Sequence, residues 1–327
     1  MRESPNDVAD RPEVDVLSDV LRAVRLTGAV FFDFDLSAPW VLEAPPSRKI
    51  AAKVMPGAQR VIEYHLIARG NGFGHAVGQE PVRLNEGDLI VFPQGDGHVL
   101  SSAPGMRERV DMSVFNRVST ERPVHLKVGG GADPARIVCC FLGLDERPFN
   151  PLLAALPHTI HLSAGTGWLS NLMHVAATES SGARPGSENV LARLAELMFV
   201  ETVRRYLETL APAETGWLAA VRDPVVGRAL TALHSHPARA WTVETLAQTV
   251  AVSRSVLAER FTSVAGHPPM QYLALWRMQL ASRMLIDGEA IATVAGAVGY
   301  ESEAAFSRAF KKLVGKSPAG WRIGQRA

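Results

Sequence analysis

The chain has 327 residues, 34 Lys and Arg against 33 Asp and Glu, 47% hydrophobic residues and two cysteines. That length predicts two domains, each able to bury its own core. No run of about 18 apolar residues occurs, so no membrane span is expected. The polar, charged start Met1–Pro12 has no apolar stretch and reads as a disordered tail, not a secretory signal. Cys139 and Cys140 are neighbours, which is no disulfide framework and suits a reducing cytoplasm.

Within 13–27, Val14, Leu17, Leu21 and Val24 recur at helical spacing and predict a short amphipathic helix. From Gly28 the texture becomes short apolar or alternating runs separated by Gly, Pro and Asn. Val30–Phe34, Ile62–Ile67, Val82–Leu84 and Leu89–Phe92 read as strands of an antiparallel sandwich or barrel. Two helices follow, Gly167 to Ser180 and Glu188 to Leu210. The second has an apolar set too wide for one interface, so one stripe is expected on the barrel and the rest on a second copy of the chain. A further helix, Asp223 to His236, leads into the last part.

That last part holds one pattern twice. Leu246-Ala247, Val250, Ser253, Leu257, Phe261 is followed by Val294-Ala295, Val298, Ser302, Phe306, Phe310. The offset is 48 residues up to the valine and 49 after it, so the second copy has one extra residue in its turn. An apolar pair, a break, a serine N-cap and apolar residues four and eight positions later describe two helices joined by a tight turn. Two helix-turn-helix units are expected, separated by a helix from Pro268 to about Asp287. From Asp223 onward twelve Lys/Arg face seven Asp/Glu, a net +5 that leaves −4 for the rest of a chain whose total is +1. A basic module on an acidic partner fits DNA contact at one end only.

Trp241–Trp321 resembles the DNA-binding domain of the AraC family of bacterial transcription regulators. The diagnostic residues are Val298-Gly299-Tyr300-Glu301-Ser302, Phe306–Lys311 and Gly315-Lys316-Ser317-Pro318. The resemblance implies double-stranded DNA as partner. It places base-reading positions at Ser255, Ala258, Glu259, Glu303, Ala304, Ser307 and Arg308. Arg254 and Lys311 lie on the same outward faces. Lys312, Lys316, Arg277 and Arg322 are expected at phosphates.

Upstream, Gly87, Pro93, Gly95 and His98 have the spacing of the second motif of the cupin (jelly-roll) superfamily, whose closing asparagine falls on Ser102. The paired histidines of the first cupin motif fall on Glu63 and His65, and its glutamate on Arg69. AraC-type regulators commonly carry such a sensor domain, and Cys139 to Pro157 looks like the branch with cysteine-bearing sensors. The resemblance implies a pocket with His65 and His98 as metal or ligand contacts, Glu63 as a third and His75 as a fourth. A divalent metal is the implied cofactor, and Cys139 falls at the family's cysteine position. Those sensors often have a further cysteine where this chain has Gly72, which weakens a two-cysteine switch.

The fold class expected is α+β multidomain. A cupin-like β-barrel sensor occupies 13–165, a helical dimerisation segment 166–212, and an all-α domain with two helix-turn-helix units 222–327. The function expected is a cytoplasmic, homodimeric DNA-binding transcription regulator, contacting RNA polymerase if it activates. The rival is a metal-dependent cupin enzyme with a DNA-binding tail. Nothing resembles a catalytic triad, a phosphate loop or a dinucleotide fingerprint, and no enzyme is expected.

Overall fold

The computed structural model describes residues 15–23, 26–58, 60–116, 124–144, 148–163, 165, 168–181, 184–211 and 215–324. The expected tail Met1–Pro12 lies outside them. The chain forms two compact units.

In chain order the elements begin with α1 (Val16–Ala23), β1 (Leu26–Ser37), β2 (Val41–Ala44) and α2 (Ala51–Val54). Strands β3 (Arg60–Arg69), β4 (Gly72–Ala76), β5 (Val82–Leu84), β6 (Leu89–Phe92) and β7 (His98–Ser101) follow. Then come β8 (Val124–Gly129), β9 (Pro134–Leu144), α3 (Pro151–Ala155) and β10 (Ile160–Leu162). Helices α4 (Trp168–Ser181) and α5 (Ser187–Thr209) complete the part that holds the strands.

All these strands, with α2, α4 and α5, make one unit. Six strands form a sheet in the order β10-β6-β3-β9-β1-β8, and four form a second in the order β2-β7-β4-β5. Every pairing is antiparallel except β1 with β8. Between the sheets Phe32, Ile67, Ile90, Phe92, Leu100, Ile137 and Phe141 form the core. β3 reads as a nearly unbroken apolar run because both of its faces are covered, Val61 to Ile67 all being buried. One face looks into the barrel. The other, with Ile62, Tyr64 and Leu66, belongs to the side on which α4 and α5 pack. Leu191, Leu194, Met198, Phe199 and Val203 are large apolar residues buried on α5, whereas Val190 and Leu197 are 43% and 46% exposed.

The second unit contains α1 and α3 besides the C-terminal helices. These are α6 (Trp217–Arg222), α7 (Val226–Ser235), α8 (Val243–Thr249), α9 (Arg254–Ala265), α10 (Pro269–Ile286), α11 (Ile291–Ala297), α12 (Glu303–Val314) and α13 (Pro318–Gly324). The two copies of the repeat are α8–α9 and α11–α12, and α10 is the spacer. Leu257, Phe261, Phe306 and Phe310 are fully buried, as the shared spacing requires. Ser253 Oγ caps α9 by accepting from the Val256 amide, and Ser302 Oγ does the same for α12 from Ala305.

The two turns are equivalent down to one hydrogen bond. The Val252 amide donates to the Ala247 carbonyl at 3.1 Å, and the Tyr300 amide to Ala295 at 2.9 Å. Ala251 (φ 58°) therefore matches Gly299 (φ 81°), and the extra residue of the second copy is Glu301. At Gly299 a Cβ would meet the Ala238 carbonyl oxygen at 2.3 Å, so only glycine fits; Ala251 is exposed and tolerates the left-handed region at a cost of about 1–2 kcal/mol. Ala251→Gly is therefore expected to hold or raise stability by up to about 1 kcal/mol, whereas Gly299→Ala lowers it by more than that. Urea unfolding of both variants, compared with the parent, checks the opposite signs.

Candidate sensor pocket and DNA-reading face

Strand alternation puts Val61, Glu63, His65 and Ile67 on the inward face of β3. The antiparallel register sets His65 opposite Cys139 on β9. On the second sheet, the turn Pro93–Gly97 delivers His98 to the start of β7. Gly95 (φ 66°) makes that turn possible, since a Cβ there would overlap Ser47 Oγ. The Phe92 ring stacks on the His98 imidazole at 3.9 Å between centroids and fixes its plane.

These placements converge. His65 Nε2 is 2.8 Å from His98 Nε2, and His65 Nδ1 is 2.7 Å from Cys139 Sγ. His98 Nδ1 donates to the Asp96 carbonyl at 3.0 Å. That last bond settles the neutral tautomers. His98 Nε2 has to accept, so His65 Nε2 donates to it and His65 Nδ1 accepts from the Cys139 thiol. Burial holds both imidazoles neutral: His65 is well below the ordinary histidine range and His98 is brought down to about 4. Burial, then the nearby Glu63, pushes the Cys139 thiol well up, so it is a thiol and not a thiolate.

Glu63 completes the cluster without joining the chain of hydrogen bonds. It is 0% exposed, and neither carboxyl oxygen has a hydrogen-bond partner among the described residues. Its Oε2 is 3.7 Å from His98 Nε2. Burial raises its pKa far above the carboxylate range. Among the described residues, Glu63, His65 and His98 are the one group whose donor atoms lie close enough together (within 4.8 Å) to share a metal ion. His75, the expected fourth member, is not in that set. It is buried on β4, with Nδ1 lacking a hydrogen-bond partner among the described residues.

A cavity of about 310 Å³ opens from this cluster. His65, His98 and Cys139 line it together with Phe32, Phe34, Leu42, Phe115, Leu126 and Phe141, and the exposed Glu108, Arg109, Asp111 and Lys127 also border it. The volume is within the range of small-molecule sites. Cys140 faces the other side of β9 and is buried there. At Gly72, where related sensors have a cysteine, a Cβ would come within 2.8 Å of the Trp40 ring. A second thiol for Cys139 is thus missing from both directions.

In the helical unit, the expected DNA-contacting residues Arg254, Ser255, Glu259, Glu303, Ala304, Arg308, Lys311 and Lys312 are exposed, and Ala258 and Ser307 are half-buried. All are on α9 or α12, turned away from the buried aromatic residues. Two expected phosphate contacts are otherwise engaged. Arg277 donates to the Pro237 and Arg239 carbonyls at 2.7 and 2.8 Å, and Arg322 to those of Leu285 and Glu289. These bonds tie the helical unit together.

Sequence reasoning missed a polar hub in this unit. Trp217 Nε1 donates to Tyr272 Oη at 2.8 Å, and Tyr272 Oη donates to His234 Nε2 at 2.8 Å. His234 Nδ1 donates to Asp19 Oδ2 at 3.0 Å. The hub joins α6, α10, α7 and α1, and its members are too far apart in the chain to be seen as a motif.

Residues 15–208 match the Cupin family, and residues 246–323 match a helix-turn-helix domain family. An AraC-like transcription regulator of Streptomyces lividans is 36% identical over 270 residues, covering 81% of this chain and 88% of that protein. The chain belongs to the AraC family. The transcriptional regulator AlkR of Acinetobacter baylyi is 31% identical over 273 residues, covering 81% of this chain and 89% of that one. Among solved structures, the DNA-binding domain of AdpA in complex with a target DNA is 32% identical, with 32% of this chain and 94% of that chain covered and a TM-score of 0.30. This AraC-family protein is accordingly a DNA-binding transcription regulator; its relatives lend nothing to the cupin-enzyme rival. No helix among the described residues is long and apolar enough to cross a membrane.

The neutral pocket has a pH signature. His98 titrates near 4 when folded, below the ordinary 6.5. Its contribution to stability is complete above pH 6.5 and is lost as pH falls from 6.5 toward 4. At about 1.36 kcal/mol per pH unit that loss is on the order of 3 kcal/mol. Urea midpoints at pH 7 and pH 4.5 are expected to differ less in His98→Asn than in the parent.

Proposed function

We propose that the cupin-like domain of this regulator receives its signal at the base of the barrel, where Glu63, His65 and His98 bind a divalent cation or a ligand held by one. The observation that carries this reading is the Glu63 carboxyl, buried with both oxygens unpartnered beside two imidazole edges. An uncompensated buried carboxyl is destabilising by several kcal/mol unless it stays protonated or meets a cation. The donor set suits zinc or iron, with the remaining coordination positions turned to the cavity. A bound ion would supply Lewis acidity and charge. Cys139 would then act through His65: an imidazole that ligates through Nε2 carries its proton on Nδ1, turned to the sulfur. With no second thiol nearby, Cys139 is read as a modulating residue and not as half of a disulfide switch.

The DNA-reading residues are those on the exposed faces of α9 and α12. Arg254 and Arg308 suit guanine edges, Glu259 and Glu303 suit cytosine amino groups, and Ala258 and Ala304 suit thymine methyls or shape readout. Lys311 and Lys312 suit phosphates. The outer face of α5, with Val190 and Leu197, suits a second copy of the chain, giving a homodimer that works in the cytoplasm. Raising transcription would add RNA polymerase as a partner.

Purified protein on its own upstream DNA, with and without added zinc, tests the whole reading. The affinity is expected to change with zinc in the parent and to be indifferent to it in His98→Ala, with basal binding kept. A zinc effect retained in His98→Ala removes the pocket from the reading.

On the DNA side, Arg308→Ala is expected to weaken a cognate site by about 1–3 kcal/mol and to relax one base position. Lys312→Ala weakens all sequences alike. Selection from random DNA with each variant separates the two. Val190→Glu with Leu197→Glu is expected to halve the mass in light scattering without loss of fold, since neither side chain belongs to the α5 core.

A further inference from the structure

The pocket is tied to the DNA-binding helices by a short stretch of chain that neither motif includes. After β9 the chain leaves the barrel unit; residues up to 155 pack with the helical unit, and from 156 it is again part of the barrel unit. Each end of this excursion is anchored by specific contacts.

On the barrel side the anchor is the turn that carries His98. The Asp96 carbonyl accepts from His98 Nδ1 at 3.0 Å, and the carboxylate of the same residue is 2.7 Å from His158 Nδ1. Two residues earlier, Gln94 Nε2 donates to the Leu156 carbonyl at 2.7 Å. One residue after His158, Thr159 Oγ1 donates to Gln79 Oε1 at 2.7 Å. His98 therefore reaches the returning strand through a single residue, Asp96.

On the helical side the anchor is the spacer between the two DNA-reading units. The Phe149 amide donates to Gln279 Oε1 at 3.4 Å, and Gln279 is a buried residue of α10. The Phe149 ring meets Tyr272 of α10 edge-on at 5.6 Å and His267, just before α10, at 6.1 Å. Leu152 and Leu153 of α3 are buried in the same unit. Between the Phe149 contacts and Leu156 there is only the five-residue α3 and Asn150, too short a stretch to absorb a displacement by uncoiling.

We propose that residues 148–159 transmit the state of the pocket to α10, so that occupation of the Glu63/His65/His98 site changes how α9 and α12 are presented to DNA. This rests on the sensor reading above. An ion that engages His98 Nε2 competes with the His65–His98 hydrogen bond and moves the imidazole. The Nδ1–Asp96 bond then moves the turn, and His158 and Leu156 follow. Coupling of this kind requires that both ends act on one element. α10 is that element, since it fixes the separation of the two reading helices.

The test uses the full-length chain, with zinc alone as the probe. Zinc binding is measured by competition with a chromophoric chelator, and DNA affinity by fluorescence anisotropy. In the parent, zinc is expected to change DNA affinity at least about fivefold, the lower end of ordinary allosteric coupling. In His158→Ala with Gln94→Ala, zinc binding and zinc-free DNA affinity stay within about twofold of the parent, and the zinc effect on DNA falls to within about twofold of none. A double variant that keeps the full zinc effect overturns the proposal, and so does a parent that binds zinc with no change in DNA affinity. Hydrogen exchange without metal separates this from failure of the metal reading. If zinc does not bind at all, His98→Ala is still expected to speed amide exchange in 148–162 and 269–286. Exchange altered only within 89–101 overturns the tether.

Discussion

Everything distinctive in the barrel follows from one uncomfortable group, the Glu63 carboxyl. A strand that was free on one face could tilt to let such a group reach water. β3 cannot, because β6 and β9 pair with it on either side and both of its faces are buried. The discomfort is therefore fixed by the sheet and has to be met chemically. Without a cation, the group remains protonated, and the neutral imidazoles and thiol beside it form a one-way chain of hydrogen bonds ending at the Asp96 carbonyl. On the metal reading proposed above, Glu63 and the two imidazole Nε2 atoms would become ligands and the His65 proton would move to Nδ1. The pocket would then have two arrangements of its protons, the property a sensor needs.

The helical unit meets a different constraint. Two small helix pairs cannot each bury a full core, so they share α10. Val294, Phe306, Phe310 and Trp321 pack on Met278, Ala281 and Leu285 at one end. Tyr272 stands at the other, edge-on to Phe261 at 5.7 Å. Arg277, midway along, draws the 237–239 loop and the Gly299 turn together through backbone carbonyls. Burial lowers its pKa, yet guanidinium remains charged in any protein, and the carbonyl acceptors satisfy it.

Periodicity and motif spacing made much of this legible. The repeat identified both helix-turn-helix units because N-cap chemistry and apolar spacing are local. Even the one-residue difference between copies was visible, and the structure assigns it to Glu301. Likewise the cupin-like spacing brought His65 and His98 to one pocket, since strand register follows from alternation and turn length. Long-range polar contacts left no such trace. Asp19, Trp217, His234 and Tyr272 meet through tertiary packing alone, as do Arg277 and its carbonyls. The orphaned state of Glu63 was equally invisible, because a carboxylate on an apolar strand gives no sign of whether a partner exists. Leu197 and Leu194 looked alike in sequence as well; only helix rotation on the barrel separates the exposed one from the buried one.

The division of the chain bears on how a signal could travel. The helical unit is not the C-terminal segment alone: α1, α3 and α6 supply Asp19, Leu152 and Trp217 to its interior. The polypeptide thus passes between units four times, at the ends of α1, β9, α3 and α5. Each passage is a covalent restraint. Between α3 and β10 lie four residues, Leu156 to Thr159, and three of them hydrogen-bond the barrel through side chain or backbone. The turn that anchors this passage also holds His98. On the coupling proposed above, a displacement at the pocket would follow this passage, and a ligand would shift the DNA-bound population only by as much as it distinguishes the two positions of that path.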